Sequence, residues 1–116
     1  MLRLLTAALS CAGLLLAAAP APDRQQEAKK YFEAECALCH GPDGRGLKSS
    51  ARMYRVPLAK LDLAQGPAAQ SPEPDIVKII SEGKGKMDPY KKKLTPEEIE
   101  AMARYVISLR ANAKKN

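Results

Sequence analysis

Cys36-Ala37-Leu38-Cys39-His40 is the stretch on which the reading of this chain turns. Cys-x-x-Cys-His is the attachment sequence of c-type haem. Two thiols at that spacing add across the two vinyl groups of a porphyrin as thioethers. The histidine that follows lies under the ring, where a neutral imidazole is a good ligand for iron. Its other ring nitrogen stays free for an orienting hydrogen bond. Cys36 and Cys39 are the candidate covalent anchors and His40 the candidate proximal ligand.

Other uses of two cysteines explain less. A redox dithiol wants a thioredoxin-like βαβ setting, and the flanking sequence does not supply one. A structural zinc site needs four ligands, but the sequence offers one further cysteine, Cys11, and no second histidine. A plain disulfide leaves His40 as a coincidence. Haem attachment accounts for all three residues and is matched by an export signal and a candidate second iron ligand.

The 116 residues are enough for one domain. Residues 1–22 read as a secretory signal: Arg3, an apolar run from Leu4 to Leu16, then small residues from Ala17 to Ala19. The run is too short for a comfortable transmembrane helix. It is expected to be a removed leader rather than a retained anchor, with cleavage between Ala17 and Pro22. Cys11 lies inside it, and the preceding Ala8-Leu9-Ser10 fits a lipoprotein box poorly. Cys36 and Cys39 are then the only cysteines left, so a chain that the signal sends to the periplasm or another exported compartment has no spare pair for a structural disulfide.

The part from residue 23 onward has one Phe, four Tyr and no Trp. A domain this small and this poor in large side chains is marginal by itself. A covalently held porphyrin supplies the missing apolar body, so the haem is expected at the centre of the core. The net charge is +6, and +5 once Arg3 is removed, with 18 Lys and Arg against 13 Asp and Glu. That excess suits acidic partner proteins or an anionic surface. Aromatic and basic residues are not interleaved as nucleic-acid binding would require.

The pattern is helical throughout. Asp23 to Glu35 reads as a helix with Asp23 as N-cap and Gln26 completing a capping box, running into the motif. Gly41-Pro42-Asp43-Gly44-Arg45-Gly46 breaks it. Residues 47–70 read as a long irregular loop with one short helix at 49–54, wrapping the haem edge. A helix opens at Ser71-Pro72-Glu73-Pro74-Asp75, presents Ile76, Ile79 and Ile80, and ends at Gly83. Gly83-Lys84-Gly85-Lys86-Met87-Asp88-Pro89-Tyr90 is turn-rich. The last helix carries the strongest signals: Thr95 as N-cap, Pro96 at the first position, Glu98 for the capping box, and a stripe of Ile99, Met102, Ala103, Val106 and Leu109. It is expected to end near Arg110, leaving 111–116 as a basic tail.

Met53, Met87 and Met102 are the candidate thioether ligands. Met102 sits on an apolar helical stripe and suits the core. Met87 lies in a loop flanked by Gly and Pro, where backbone turns can aim a side chain at a cofactor. It is the expected distal ligand, with a soft sulfur that favours reduced iron.

Taken together the chain resembles the class I c-type cytochromes, most of all the small photosynthetic and bacterial monohaem carriers. The likeness covers Asp23 to Leu109. It rests on Phe32, Cys36-Ala37-Leu38-Cys39-His40-Gly41, Asp43-Gly44-Arg45-Gly46, Gly83-Lys84-Gly85-Lys86-Met87, Leu94-Thr95-Pro96-Glu97-Glu98-Ile99 and Tyr105-Val106, in that order. The resemblance implies an all-α cytochrome c fold, three to four helices around one covalent haem c, over a domain of residues 23–110. It implies crossed terminal helices with Phe32 and Tyr105 as the aromatic pair at the crossing. Cys36 and Cys39 match the thioether positions, and His40 and Met87 the axial ligands of the iron. A proline carbonyl often accepts from the proximal histidine in this family, and Pro57 is the candidate here. Two departures are Ala28 where the family often has Gly, and Met87-Asp88-Pro89 where it usually has Met-Pro.

The function implied is one-electron transport between redox proteins by a monomer, with no enzyme activity and no direct membrane contact. The lysines around Met87 (Lys84, Lys86, Lys91, Lys92 and Lys93) are expected to face acidic docking patches. The competing reading is a haem enzyme or gas-binding protein with an open distal site, such as a small peroxidase or sensor. That reading wants a polar distal residue, and the sequence holds no second histidine for the role.

Overall fold

The computed structural model describes residues 22–115. The expected signal, with Cys11, lies outside them. α1 spans Pro22–Tyr31, with Asp23 in its first turn, where a negative charge complements the helix dipole. The helical path continues through a π-helical turn, Phe32–Cys36, closed by the Ala37 N–H on the Phe32 carbonyl, into α2, Ala37–His40. The helix is thus longer at both ends than the sequence suggests. Asp23 is a first-turn residue rather than the cap, and the attachment motif is itself helical.

Gly41 ends α2 with φ +76°. The span 47–70 holds more regular structure than one short helix. α3 runs Lys48–Tyr54, α4 runs Leu58–Leu61, and Pro67–Gln70 forms a 3₁₀ turn. α4 and the 3₁₀ turn, four residues each, lack the length for a periodic apolar pattern, so they are fixed by contacts and not by propensity. α5, Glu73–Glu82, buries Ile76 and Ile80 and stops at Gly83, φ +74°. α6, Pro96–Ala113, begins with the complete capping box. Glu98 N donates to Thr95 Oγ1 at 3.3 Å, and Thr95 N donates to Glu98 Oε2 at 2.7 Å. It runs three residues past Arg110, into the expected tail. Among the described residues there is no named strand, and the helical segments outnumber the three or four expected.

α6 is the spine. It buries Ile99, Ala101, Met102, Ala103, Val106 and Leu109 against α1 on one side and α5 on the other. At the α1–α6 crossing Phe32 is fully enclosed and meets Tyr105 edge to face, with ring centroids 5.2 Å apart. Ala28 is buried in the same layer. Edge-to-face pairs add about 0.5–1.5 kcal/mol beyond area burial. Phe32 is the one large side chain sealed completely among the described residues. α5 is tied to α6 by the exposed pair Arg104–Glu73 at 3.6 Å. Arg110 Nη2 reaches across to the carbonyls of Ala68 at 2.8 Å and Ser71 at 2.9 Å, pinning the 3₁₀ turn to the end of α6. Among the described residues no helix is long and apolar enough to cross a membrane.

Candidate haem site

The π turn delivers the motif. A five-residue turn shifts the register of everything after it, and such turns often mark functional positions. Phe32 faces the core while Cys36 and Cys39 emerge half-buried, with no disulfide between them. Burial pushes the Cys36 thiol up to about 11, with Glu35 and Cys39 adding to the rise. A reactive redox dithiol needs a depressed thiol, which Cys36 does not have.

His40 ends the helix. Its Nδ1 lies 2.8 Å from the Leu61 carbonyl. A carbonyl can only accept, so Nδ1 carries the proton and Nε2 carries the lone pair. Burial holds the imidazole below the usual histidine value, against the opposing pull of the Leu61 hydrogen bond. The ring is therefore neutral near pH 7, the form that binds iron. The acceptor is not Pro57. Pro57 is the N-cap of α4, and the short helix carries the chain on to Leu61, whose carbonyl meets the ring.

The loop leaving His40 folds back on it. Gly46 N donates to the His40 carbonyl at 2.6 Å and Leu47 N to the Cys39 carbonyl at 3.0 Å. Gly44 takes φ +73° at a place where a Cβ would lie 2.7 Å from Leu109 Cδ1, so this turn can only approach α6 as glycine. Ser50 at the buried face of α3 donates to the Leu38 carbonyl at 2.6 Å, within the motif itself.

Of the three methionines, Met102 is 2% exposed within α6 and Met53 is 74% exposed on α3. Met87 is half-buried and packs against the core. It closes a tight turn: Met87 N donates to the Lys84 carbonyl at 3.0 Å and Lys84 N to the Met87 carbonyl at 3.1 Å. The far end of the loop is tied back to α5 by Tyr90 N on the Ile80 carbonyl, 2.9 Å, and Lys91 N on the Ser81 carbonyl, 3.1 Å. Tyr90 packs edge to face on Tyr31 of α1, with centroids 6.2 Å apart. Burial pushes the Tyr90 hydroxyl up to about 12, with Cys36 among the neighbours that add to it. Tyr90 thus joins the methionine loop to the motif helix, a role its sequence position does not announce.

The donor set fits a covalent haem: two unpaired thiols and a neutral imidazole follow one another along the end of one helix, and a loop-borne thioether is packed on the same core. Zinc is fitted less well. Among the described residues no group of three or more His, Cys, Asp or Glu is placed to hold a metal ion.

Comparison with known proteins agrees. A family profile described as "Cytochrome C oxidase, cbb3-type, subunit III" matches residues 23–106. Cytochrome c6 of Nostoc sp. (strain PCC 7120 / SAG 25.82 / UTEX 2576) is 30% identical over 78 residues, which are 67% of this chain and 64% of that relative. This chain therefore spans less than two thirds of the length of the curated relative it matches. Among solved structures, one described as "KustC0563 c-type cytochrome" superposes with a TM-score of 0.59 at 27% identity, covering 72% of this chain and 96% of that one. With most of the described chain inside the profile and 72% of the chain superposed on a solved cytochrome, the protein belongs to this c-type cytochrome family, as a small class I c-type cytochrome whose cofactor is covalently attached haem c with its iron.

Proposed function

We propose that the protein is an exported one-electron carrier in which Cys36 and Cys39 hold the haem by thioether bonds and His40 and Met87 bind the iron. One observation carries this reading. The His40 Nδ1 is committed to the Leu61 carbonyl, which leaves Nε2 as the free lone pair directly after the two thiols. Haem c supplies a one-electron Fe(III)/Fe(II) couple. The protein's own residues do the rest. Cys36 and Cys39 fix the group on the helix, and His40 is oriented by its second nitrogen. The Met87 turn presents a soft thioether that favours the reduced state. The apolar layer of α1, α5 and α6 would shield the group from water.

With both His40 and Met87 holding it, the iron would take up no substrate and would supply electron transfer alone. The sole histidine serves the iron, so none remains to shuttle protons at a distal site. Lys84, Lys86, Lys91, Lys92 and Lys93 are all exposed around the methionine loop. They favour docking to a redox partner with an acidic patch. The leader-like segment 1–22 supports export to the periplasm or an equivalent compartment.

The test is Met87→Ala in the haem-loaded protein. The variant should lose the weak far-red band of a sulfur–iron bond, show a lower reduction potential and bind carbon monoxide in the ferrous form. If the band survives in Met87→Ala and vanishes in Met53→Ala, the distal assignment passes to Met53. If the unaltered protein lacks the band and binds carbon monoxide freely, the site is open and the carrier reading gives way to a gas-binding or peroxidase role.

A further inference from the structure

We propose that Arg45, Asp62 and Gln65 form a clamp that positions the Leu61 carbonyl against His40 and thereby tunes the reduction potential of the iron. The inference rests on His40 being the proximal ligand, as proposed above. These are positioning residues, acting through a backbone carbonyl.

The geometry closes a ring. Asp62 follows Leu61 directly. Its Oδ1 accepts from Ala64 N at 3.0 Å and Gln65 N at 2.8 Å, an Asx-type turn that fixes the chain just after the carbonyl. Its Oδ2 lies 3.6 Å from Arg45 Nε. Arg45 Nη2 donates to Gln65 Oε1 at 2.7 Å, so one guanidinium holds both ends of that turn. Arg45 itself sits on the loop that leaves His40. That loop is fixed by Gly46 N on the His40 carbonyl at 2.6 Å, by Arg45 N on Asp43 Oδ1 at 3.0 Å, and by Leu63 N on the Gly44 carbonyl at 2.7 Å. The path therefore runs from His40 through its own loop to Arg45, across to Asp62, and back through Leu61 to the imidazole.

The ion pair contributes little by itself. The Arg45 side chain is 44% exposed, and pairs of that kind are weak. Its consequence is positional. A carbonyl held at 2.8 Å from Nδ1 raises the basicity of the ligating nitrogen, as partners behind a metal-bound histidine do. A more basic ligand favours Fe(III). Loosening the clamp weakens that bond and raises the potential. Removing the Asp62 charge pushes the potential the same way, so position and charge have to be separated.

His40 is the only histidine, so histidine-selective ¹⁵N labelling of the haem-loaded ferrous protein gives a single Nδ1–H signal. Exchange of that proton with solvent reads the clamp directly. Exchange of the Val106 and Leu109 amides in α6 reads general stability. Asp62→Ala, which removes charge and turn together, should speed Nδ1–H exchange about tenfold relative to those amides, the scale of one lost hydrogen bond. It should also raise the potential. Asp62→Asn keeps an oxygen for the turn, so it should raise the potential less and leave exchange near the parent. Arg45→Ala, on the exposed side of the pair, should speed exchange in the same direction even if Asp62→Ala folds poorly. The clamp is overturned if Nδ1–H exchange does not move in Asp62→Ala and Arg45→Ala, or moves only as far as the α6 amides. It is overturned equally if Asp62→Asn and Asp62→Ala give the same potential and exchange. Failure of the ligand assignment looks different: the His40 ring protons of the parent would then lack the upfield shift that a porphyrin ring current imposes.

Discussion

The two sides of the site are built differently. The proximal side is cross-braced. His40, its glycine-rich loop and the Leu61–Gln65 turn are joined by a ring of side-chain and backbone bonds, and Gly44 nests against Leu109 of α6. The methionine side is a loop hung from the end of α5. Its bonds are backbone pairs, Lys84 with Met87, Tyr90 with Ile80 and Lys91 with Ser81, and its side chains other than Met87 and Tyr90 face solvent. A braced element resists local opening, while a loop held at its ends opens at lower free energy. Under the proposed ligation, His40 is thus built into the fold and Met87 is an addition to it.

That contrast makes graded predictions. Breaking the proximal side should have the largest effect. Replacing both Cys36 and Cys39 by Ala removes covalent attachment. Among the described residues the core seals only one large side chain, Phe32, so too little apolar area remains to hold the helices together. Circular dichroism should show little helix and no cooperative melt. A haem-free variant that melts like the parent would mean that the side-chain core suffices and that the proximal side is not the keystone.

Breaking the methionine side should be milder and local. At Gly83, φ +74°, a Cβ would lie 2.5 Å from the Met87 carbonyl oxygen, whereas at Gly85, φ +59°, it would meet nothing within 4 Å. Gly83→Ala should cost about 2 kcal/mol or more and weaken the sulfur–iron band, because strain and clash both fall on the Met87 turn. Gly85→Ala carries backbone strain alone, about 1 kcal/mol, and should keep the band. Urea melts followed at the haem band and in the far ultraviolet check both. Equal losses from the two variants would show that the loop is not aimed through Gly83.

The smallest effect on the fold should come from charge. Reversing Lys86, Lys91 and Lys92 to Glu should leave the visible spectrum and the melt unchanged. It should slow electron exchange with an acidic partner at low salt, and the difference should fade as salt is added, since the Debye length is about 8 Å near physiological ionic strength. Reversing Lys114 and Lys115 should matter less. Stopped-flow rates across a salt series check this. Equal effects from loop and tail would make the loop lysines an ordinary solvated surface.

Most of the framework was legible in the sequence because it rests on local chemistry. The capping box of Thr95 and Glu98 is a four-residue signal and is present as read. Gly83 as the stop of α5 is also present, and the aromatic pair of Phe32 and Tyr105, which the family resemblance implied and no local signal did, is there too. Met102 is core, as its stripe requires. The misses have one cause. Pro57 was the candidate partner of His40, yet the acceptor is Leu61, because any residue offers a carbonyl and only the path of the chain selects one. The same holds for the π turn, whose residues have no pattern distinct from an α-helix, and for α4, too short to carry a period. Asp62 ahead of Leu63-Ala64-Gln65-Gly66 did carry an Asx-turn signal, but nothing local links it to Arg45 seventeen residues earlier.

Residue chemistry at fixed spacing determined the attachment motif, the Thr95–Glu98 cap of α6 and the all-α class, since thiols, imidazole and capping oxygens act within a few residues of one another. Tertiary structure alone decided which carbonyl orients His40, that Arg45 reaches Asp62 and Gln65, and that Tyr90 brings the Met87 loop to the motif helix. Those contacts join residues 17 to 59 positions apart, such as Arg45 with Asp62 and Tyr31 with Tyr90. They exist because α6 gathers the segments around one small core, and the packing of that core, not any local preference, sets the distances.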